Sequence, residues 1–256
     1  MKLTTKLISL QAFNHVITVP AIAYAVYTQQ YTYLWIALAV WFVIGPVSSV
    51  ITLHRLLTHR SFETYAWLEK TLSYISVIST VGPTINWVAV HRQHHAKSDR
   101  EGDPHSPYAN GKFSLTEAAK IWLGYDWKIP NIPIKFVKDL IRNPTHKFIF
   151  NNYFKIIFAY CIVLLAIDPM LFLFAYVVPA SVTMHLIGVV NILGHYHGYR
   201  NHETKDHSSN SWIANIVSLG EGWHNNHHAK PANYHTGEKW WEWDLMGSLI
   251  KLIKIN

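Results

Sequence analysis

Histidine stands out in this chain by its grouping. Eight of the 17 histidines fall in three short stretches: His54 and His59; His91, His94 and His95; and His224, His227 and His228. Neutral imidazole is a strong ligand for transition metals, and close repeated spacing makes several imidazoles converge. On a helix, positions i, i+3 and i+4 share a face. His91, His94 and His95 can therefore aim three rings at one volume, as can His224, His227 and His228. His54 and His59 are five apart, which suits one face less well, so His59 is expected just beyond the end of a helix. Asn191 and His195 are four apart and share a face. Nine histidines and one asparagine exceed the needs of one metal and suit two with open positions. The single cysteine, Cys161, lies in an apolar run, so imidazole must carry any metal site. Such ligands suit Zn, Cu, Fe or Ni, and spacing alone does not choose among them.

The elements that must hold these rings are apolar. The chain of 256 residues is 50% hydrophobic and 14% charged, where an ordinary soluble domain carries about 25% charged residues. Its 11 Trp, 14 Tyr and 11 Phe fit the aromatic belts of a membrane protein. Residues 7–27 and 34–53 contain no Lys, Arg, Asp or Glu, and each is about the ~20 residues needed to cross a bilayer. The first run is not read as a signal peptide, because it lacks a small-residue cleavage site and a second span follows at once. Residues 153–167 and 169–190 make a second pair of spans turning at Asp168-Pro169, with Lys155 snorkelling. Residues 66–90 read as helices lying on the membrane surface or in a polar cap. Pro130, Pro133 and Pro144 read as loop positions. Residues 239–253 look like one amphipathic helix, whose stripe (Trp240, Trp241, Trp243, Leu245, Met246, Leu249, Ile250, Ile253) should pack in the core or at the interface.

Charge orients the whole. The two short turns, 28–33 and the one at Asp168, contain no Lys or Arg. All 22 basic residues fall on the other side of a four-span topology, which the positive-inside rule makes cytoplasmic. The histidine stretches lie on that side too. The expected fold is an all-α integral membrane protein of one domain, residues 1–256. Four transmembrane helices form two hairpins, capped by a cytosolic helical domain (54–152 and 195–256) that holds a histidine-rich dimetal site. The net charge of +7 suits anionic headgroups, an acyl carrier's phosphates or an acidic protein. No nucleic-acid module accompanies it.

Taken in order, His54-Arg55-Leu56-Leu57-Thr58-His59-Arg60-Ser61-Phe62, His91-Arg92-Gln93-His94-His95, Asp103-Pro104-His105, Asn191-x-x-x-His195 and Gly220-Glu221-Gly222-Trp223-His224-Asn225-Asn226-His227-His228 resemble the membrane fatty acid desaturases, in the Δ9-type acyl-CoA or acyl-lipid branch. The resemblance covers roughly residues 34 to 250. It implies two irons held by His54, His59, His91, His94, His95, His195, His224, His227 and His228, with Asn191 reaching one through water. It also implies O2 and two electrons from a separate ferredoxin or cytochrome b5, since no fused haem segment with its His-Pro-Gly-Gly signature is found. The substrate would be a saturated acyl chain on CoA or lipid, bent in a tunnel beside Trp87 and desaturated at Δ9. The third stretch begins with His and not the Gln of front-end desaturases. Ile187 stands where animal members have a polar tunnel residue.

Other residues carry plainer expectations. Asp99, Asp103 and Glu221 are candidates to orient ligand imidazoles, and His105 is either a tenth ligand or, more readily, a residue in a loop or behind the ligands. His197 rivals His195. His15 and His185, inside spans, should be packed or hydrogen-bonded, and His146, His202, His207 and His235 should lie on the surface. Two other readings use the same residues: a membrane diiron hydroxylase, or a metal transporter or zinc-containing receptor, which would need ionisable groups along a path through the spans.

Overall fold

The computed structural model describes residues 3–125 and 134–255; Pro130 and Pro133 lie outside them. Among the described residues, four helices are long and apolar enough to cross a membrane: α1 (Leu3–Tyr27), α2 (Tyr31–Thr58), α7 (Pro144–Ile167) and α8 (Pro169–Tyr196). Between α2 and α7 come α3 (Ala66–Ile75), α4 (Thr84–Lys97), α5 (Leu115–Trp122) and α6 (Lys138–Arg142). After α8 come α9 (Trp212–Ser218), α10 (His224–Ala229) and α11 (Leu245–Ile253). The short helices pack against the long ones, and a short hairpin joins them: β1 (Tyr108–Ala109) and β2 (Lys112–Phe113) pair antiparallel around Asn110-Gly111. Both turn residues have positive φ, 52° and 74°, as a tight Asn-Gly hairpin turn requires.

The long helices overrun the apolar stretches, because backbone hydrogen bonding continues where hydropathy changes. Helices α2 and α8 each run 28 residues, where about 20 suffice to cross a bilayer core. The excess lies at the ends that carry His54 and His195. These two are also the inner helices, with 56% and 61% of their most apolar windows buried against 28% and 22% for α1 and α7. Pro144 is no loop residue. It opens α7, whose cap is Asn143 with Oδ1 accepting from Thr145 N at 2.9 Å. Proline suits a first helical position because its missing N–H would have no partner there. Asp168 and Pro169 start α8 in the same way, Asp168 Oδ1 accepting from Met170 N at 2.9 Å.

The second half of α2, Val43–Thr58, is wound as a π-helix. Hydroxyls follow the wider winding: Ser48 bonds Val43 O, Thr52 bonds Val47 O and Thr58 bonds Leu53 O, each five residues back. This winding has a consequence for the metal site, because residues five apart now share a face.

The core between α2, α4 and α11 is built from Leu53, Leu56, Leu57, Val81, Val88, Met246 and Ile250. The expected amphipathic helix over 239–253 is shorter than its stripe. It begins only at Leu245, because Asp244 caps it by accepting from Gly247 N. Met246 and Ile250 are buried, whereas Trp240 is 92% exposed and Trp241 and Trp243 are also exposed. His146 is likewise not a surface residue: it is buried, with Nδ1 3.1 Å from Thr84 Oγ1. Within the spanning segments, His15 Nδ1 lies 2.7 Å from Ser181 Oγ and its ring stacks on His185.

Candidate metal centre

Four elements deliver nine imidazoles to one place. The end of α2 supplies His54, with His59 one residue past its last turn. Helix α4 supplies His91, His94 and His95, α8 supplies His195, and α10 supplies His224, His227 and His228. The five-residue gap between His54 and His59 is bridged by the π-winding. His59 N donates to His54 O at 3.1 Å, and the two rings lie 4.7 Å apart.

The rings form two groups and not one. His54, His59, His91, His95 and His227 make a pentad; His94, His195, His224 and His228 make a tetrad. Within each group the ligand atoms lie within 4.8 Å of one another. The expectation that each triplet serves one volume therefore fails. On α4 the i, i+4 pair His91 and His95 joins the pentad while His94 turns to the tetrad. On α10 the i, i+4 pair His224 and His228 joins the tetrad while His227 turns to the pentad. Residues three and four apart flank the centre line of a helix face on opposite sides, so a seam along that line splits them.

The donor set fits two metal ions. In the pentad, Nε2 atoms of His54 and His227 lie 3.0 Å apart, those of His227 and His95 3.1 Å, and those of His95 and His91 3.1 Å. In the tetrad, His224 Nε2 lies 3.1 Å from both His195 Nε2 and His228 Nε2. A neutral imidazole has one N–H, so a run of converging Nε2 atoms cannot be satisfied by hydrogen bonds among themselves. Nitrogens bound about 2.1 Å from a metal stand about 3.0–3.4 Å apart, and the nearest pairs here fall at that spacing. His59 Nε2 and His94 Nε2 are buried without a hydrogen-bond partner, as atoms reserved for a metal would be.

Carboxylates fix the tautomers from behind. Asp103 lies 2.9 Å from His94 Nδ1, Asp99 2.7 Å from His195 Nδ1, Asp206 2.7 Å from His228 Nδ1 and Glu221 2.6 Å from His54 Nδ1. Each holds the proton on Nδ1 and leaves Nε2 free. Burial raises the acids, but their histidine neighbours more than offset it: Asp99 is held at about 2, Glu221, also facing Arg55, at about 2, and Asp103 and Asp206 lower. Burial first, then neighbouring histidines, pushes His59, His91, His95, His224 and His227 well below their ordinary value, which keeps them neutral. Burial also lowers His94, but Asp103 and further carboxylates outweigh it and raise this ring.

Asp206 escaped the sequence reading, since it sits in a loop with no spacing that ties it to His228. Arg55 escaped it too. Its fully buried guanidinium donates to Glu221 Oε1 at 2.7 and 2.9 Å and to Asp244 Oδ2 at 2.8 Å, which fixes the acid that holds His54. Its place beside His54 was the available signal. Gly194 on α8 makes room for His224: a Cβ there would lie 2.8 Å from the imidazole.

An apolar cavity opens beneath the rings. Its walls include Val50, Val81, Trp87, Met184, Ile187 and Val190, and its head is His54, His91, His224 and Asn191. Trp87 stacks on His91 with centroids 5.0 Å apart. His105 lies outside both groups, its ring 4.5 Å from that of His94. Burial, and then the positive charge that His94 can carry, push it down to about 3. His197 is exposed and joins neither group.

Residues 33–243 match the profile of the fatty acid desaturase family. A sn-1 stearoyl-lipid 9-desaturase of Anabaena variabilis is 34% identical over 226 residues, 86% of this chain and 80% of that protein. Delta-9 acyl-lipid desaturase 2 of Arabidopsis thaliana is 32% identical over 87% of this chain and 72% of its own length. A sn-2 palmitoyl-lipid 9-desaturase of a Nostoc species is 32% identical over 82% of this chain and 74% of its own. With the family profile spanning most of the chain and relatives above 30% identity along most of their lengths, this chain belongs to the fatty acid desaturase family.

Proposed function

We propose that this protein is a diiron acyl-lipid desaturase that introduces a cis double bond at Δ9 of a saturated chain. The observation that carries it is the union of two imidazole groups with an apolar cavity running directly beneath them. The relatives' names supply the glycerolipid carrier and the Δ9 position. The pentad and the tetrad would each hold one iron, and Asn191, at the head of the cavity, would reach an iron through water. Bound iron supplies, with O2 and two electrons from a separate ferredoxin or cytochrome b5, the oxidising power to take two hydrogens from an inert methylene pair.

The chain's own residues do the rest. The cavity walls, Val50, Val81, Met184, Ile187 and Val190, bind the acyl chain by excluding water from it. Trp87, stacked on His91, presses the chain toward the rings and sets which carbons face them. Asp99, Asp103, Asp206 and Glu221 keep a proton on Nδ1 of their histidines. The four long helices form two hairpins with spans at about 7–27, 34–53, 153–167 and 169–190. The cap, 54–152 and 195–256, faces the cytoplasm, where the donor docks.

Expression in a host lacking desaturases, followed by gas chromatography with double-bond localisation, tests this reading. New Δ9 olefin in membrane lipids is expected. Hydroxylated chains without olefin would make the protein a hydroxylase, and zinc alone in protein grown with ample iron would overturn the diiron assignment.

A further inference from the structure

Helix α9 and the segment 239–243 expose several large apolar side chains close to one another. Helix α9 packs on α8 through the buried Ala214 and Ser218, while its opposite face shows Trp212, Ile213 and Ile216, 42%, 56% and 60% exposed. The segment 239–243 adjoins it. Trp243 O accepts from Asn215 Nδ2 at 3.1 Å and from Trp223 Nε1 at 2.8 Å, and the Trp212 ring packs edge-on to Trp223. Trp240, Trp241 and Trp243 extend the exposed face.

This surface is rigidly held. The buried Glu242 carboxylate accepts from Glu238 N at 2.7 Å, Lys239 N at 3.0 Å and Asn226 Nδ2 at 2.8 Å. Trp240 is thus presented by a loop tied to the ligand-bearing helix α10, and its 92% exposure is built in. Lys239 lies over both Tyr199 and Trp241 at 5.1 and 5.3 Å. Tryptophan beside lysine is the composition of a lipid headgroup boundary, where indole is half wet and the ammonium reaches phosphate. Exposed large apolar side chains grouped in this way mark an interaction site.

We propose that α9 and the 239–243 segment form a membrane-contact surface that seats the cap in the headgroup and upper acyl region of the leaflet from which α8 emerges. The inference rests on the reading of α8 as a membrane span. Through the Asn226–Glu242 bond it fixes the height of His224, His227 and His228 above the bilayer, so that a chain still attached to its glycerolipid meets the metal centre.

The full chain is reconstituted into phosphatidylcholine vesicles with or without lipids brominated near the glycerol end of their acyl chains. Tryptophan emission is compared between wild type and two variants, Trp240→Phe/Trp241→Phe and Trp35→Phe. Trp35 lies on α2 and is 69% exposed, so its contribution reports on the span itself. Quenching of the Trp240/Trp241 component by brominated lipid, with a blue-shifted maximum, is the expected result. Quenching of Trp35 with a water-like, unquenched Trp240/Trp241 component overturns the contact surface and leaves the spans standing. A component that responds only to added reduced ferredoxin overturns it in favour of a donor-docking face. Failure of both components to quench removes the membrane reading and this inference together.

Discussion

Replacing Asp206 by Asn tests the metal centre at a residue that touches no metal. Asp206 Oδ2 lies 2.7 Å from His228 Nδ1, and its Oδ1 accepts from Thr204 Oγ1 at 2.6 Å and Ser208 N at 3.0 Å. Asparagine keeps the shape and can keep the Oδ1 contacts, but its Nδ2 then faces Nδ1 of His228 as a donor. That arrangement favours the proton on Nε2, the nitrogen the tetrad needs free. The loss of a carboxylate behind a ligand histidine costs about 10–100-fold in metal affinity, or about 1.4–2.8 kcal/mol. The cost should fall on one site only. The tetrad has three carboxylate-held rings, His94, His195 and His228, while the pentad has His54 alone. Iron bound by the purified variant, followed during titration with a chelator, should therefore leave in two phases, the weaker one shifted by that factor and the tighter one unmoved. Retention of both metals at wild-type affinity would refute the role of Asp206, and equal weakening of both would refute the division into pentad and tetrad.

The remaining predictions concern stability. Arg55→Met strands the buried carboxylates of Glu221 and Asp244 without their cation, which should cost about 3–5 kcal/mol. Thermal unfolding in detergent checks this, and an unchanged melting temperature refutes the network. For pH, the five strongly depressed histidines bind fewer protons folded than unfolded. Their contribution is full above the unfolded value of about 6.5 and falls as pH drops below it. His228 adds to this from about 6.5 down to its folded value of about 4. Metal-stripped protein should melt progressively lower from pH 7 to pH 4; a flat profile would show that the rings are not buried together.

Much of this was legible without coordinates. Hydropathy located all four long helices, because crossing a bilayer demands a composition that cannot hide. The nine histidines could be named because metal chemistry needs that residue type, and Asp99, Asp103 and Glu221 because acids near ligand motifs commonly hold them. Even the hairpin at Asn110-Gly111 had a local signal, which went unused.

What local spacing could not give was the partition of the rings. It states which side chains share a helix face, and does not state where the seam between two facing elements falls. The crossing of α4 and α10 decided that, sending His94 one way and His227 the other. The π-winding of α2, which lets His54 and His59 meet across five residues, depends on packing that no pattern of apolar residues announces. Asp206, Arg55 and the buried His146 are similar cases, since their partners lie far along the chain. The sequence by itself determined which atoms could bind metal and which segments must avoid water. The tertiary structure decided which imidazoles lie together and what holds each ring in place, because those depend on contacts between residues that only folding brings together.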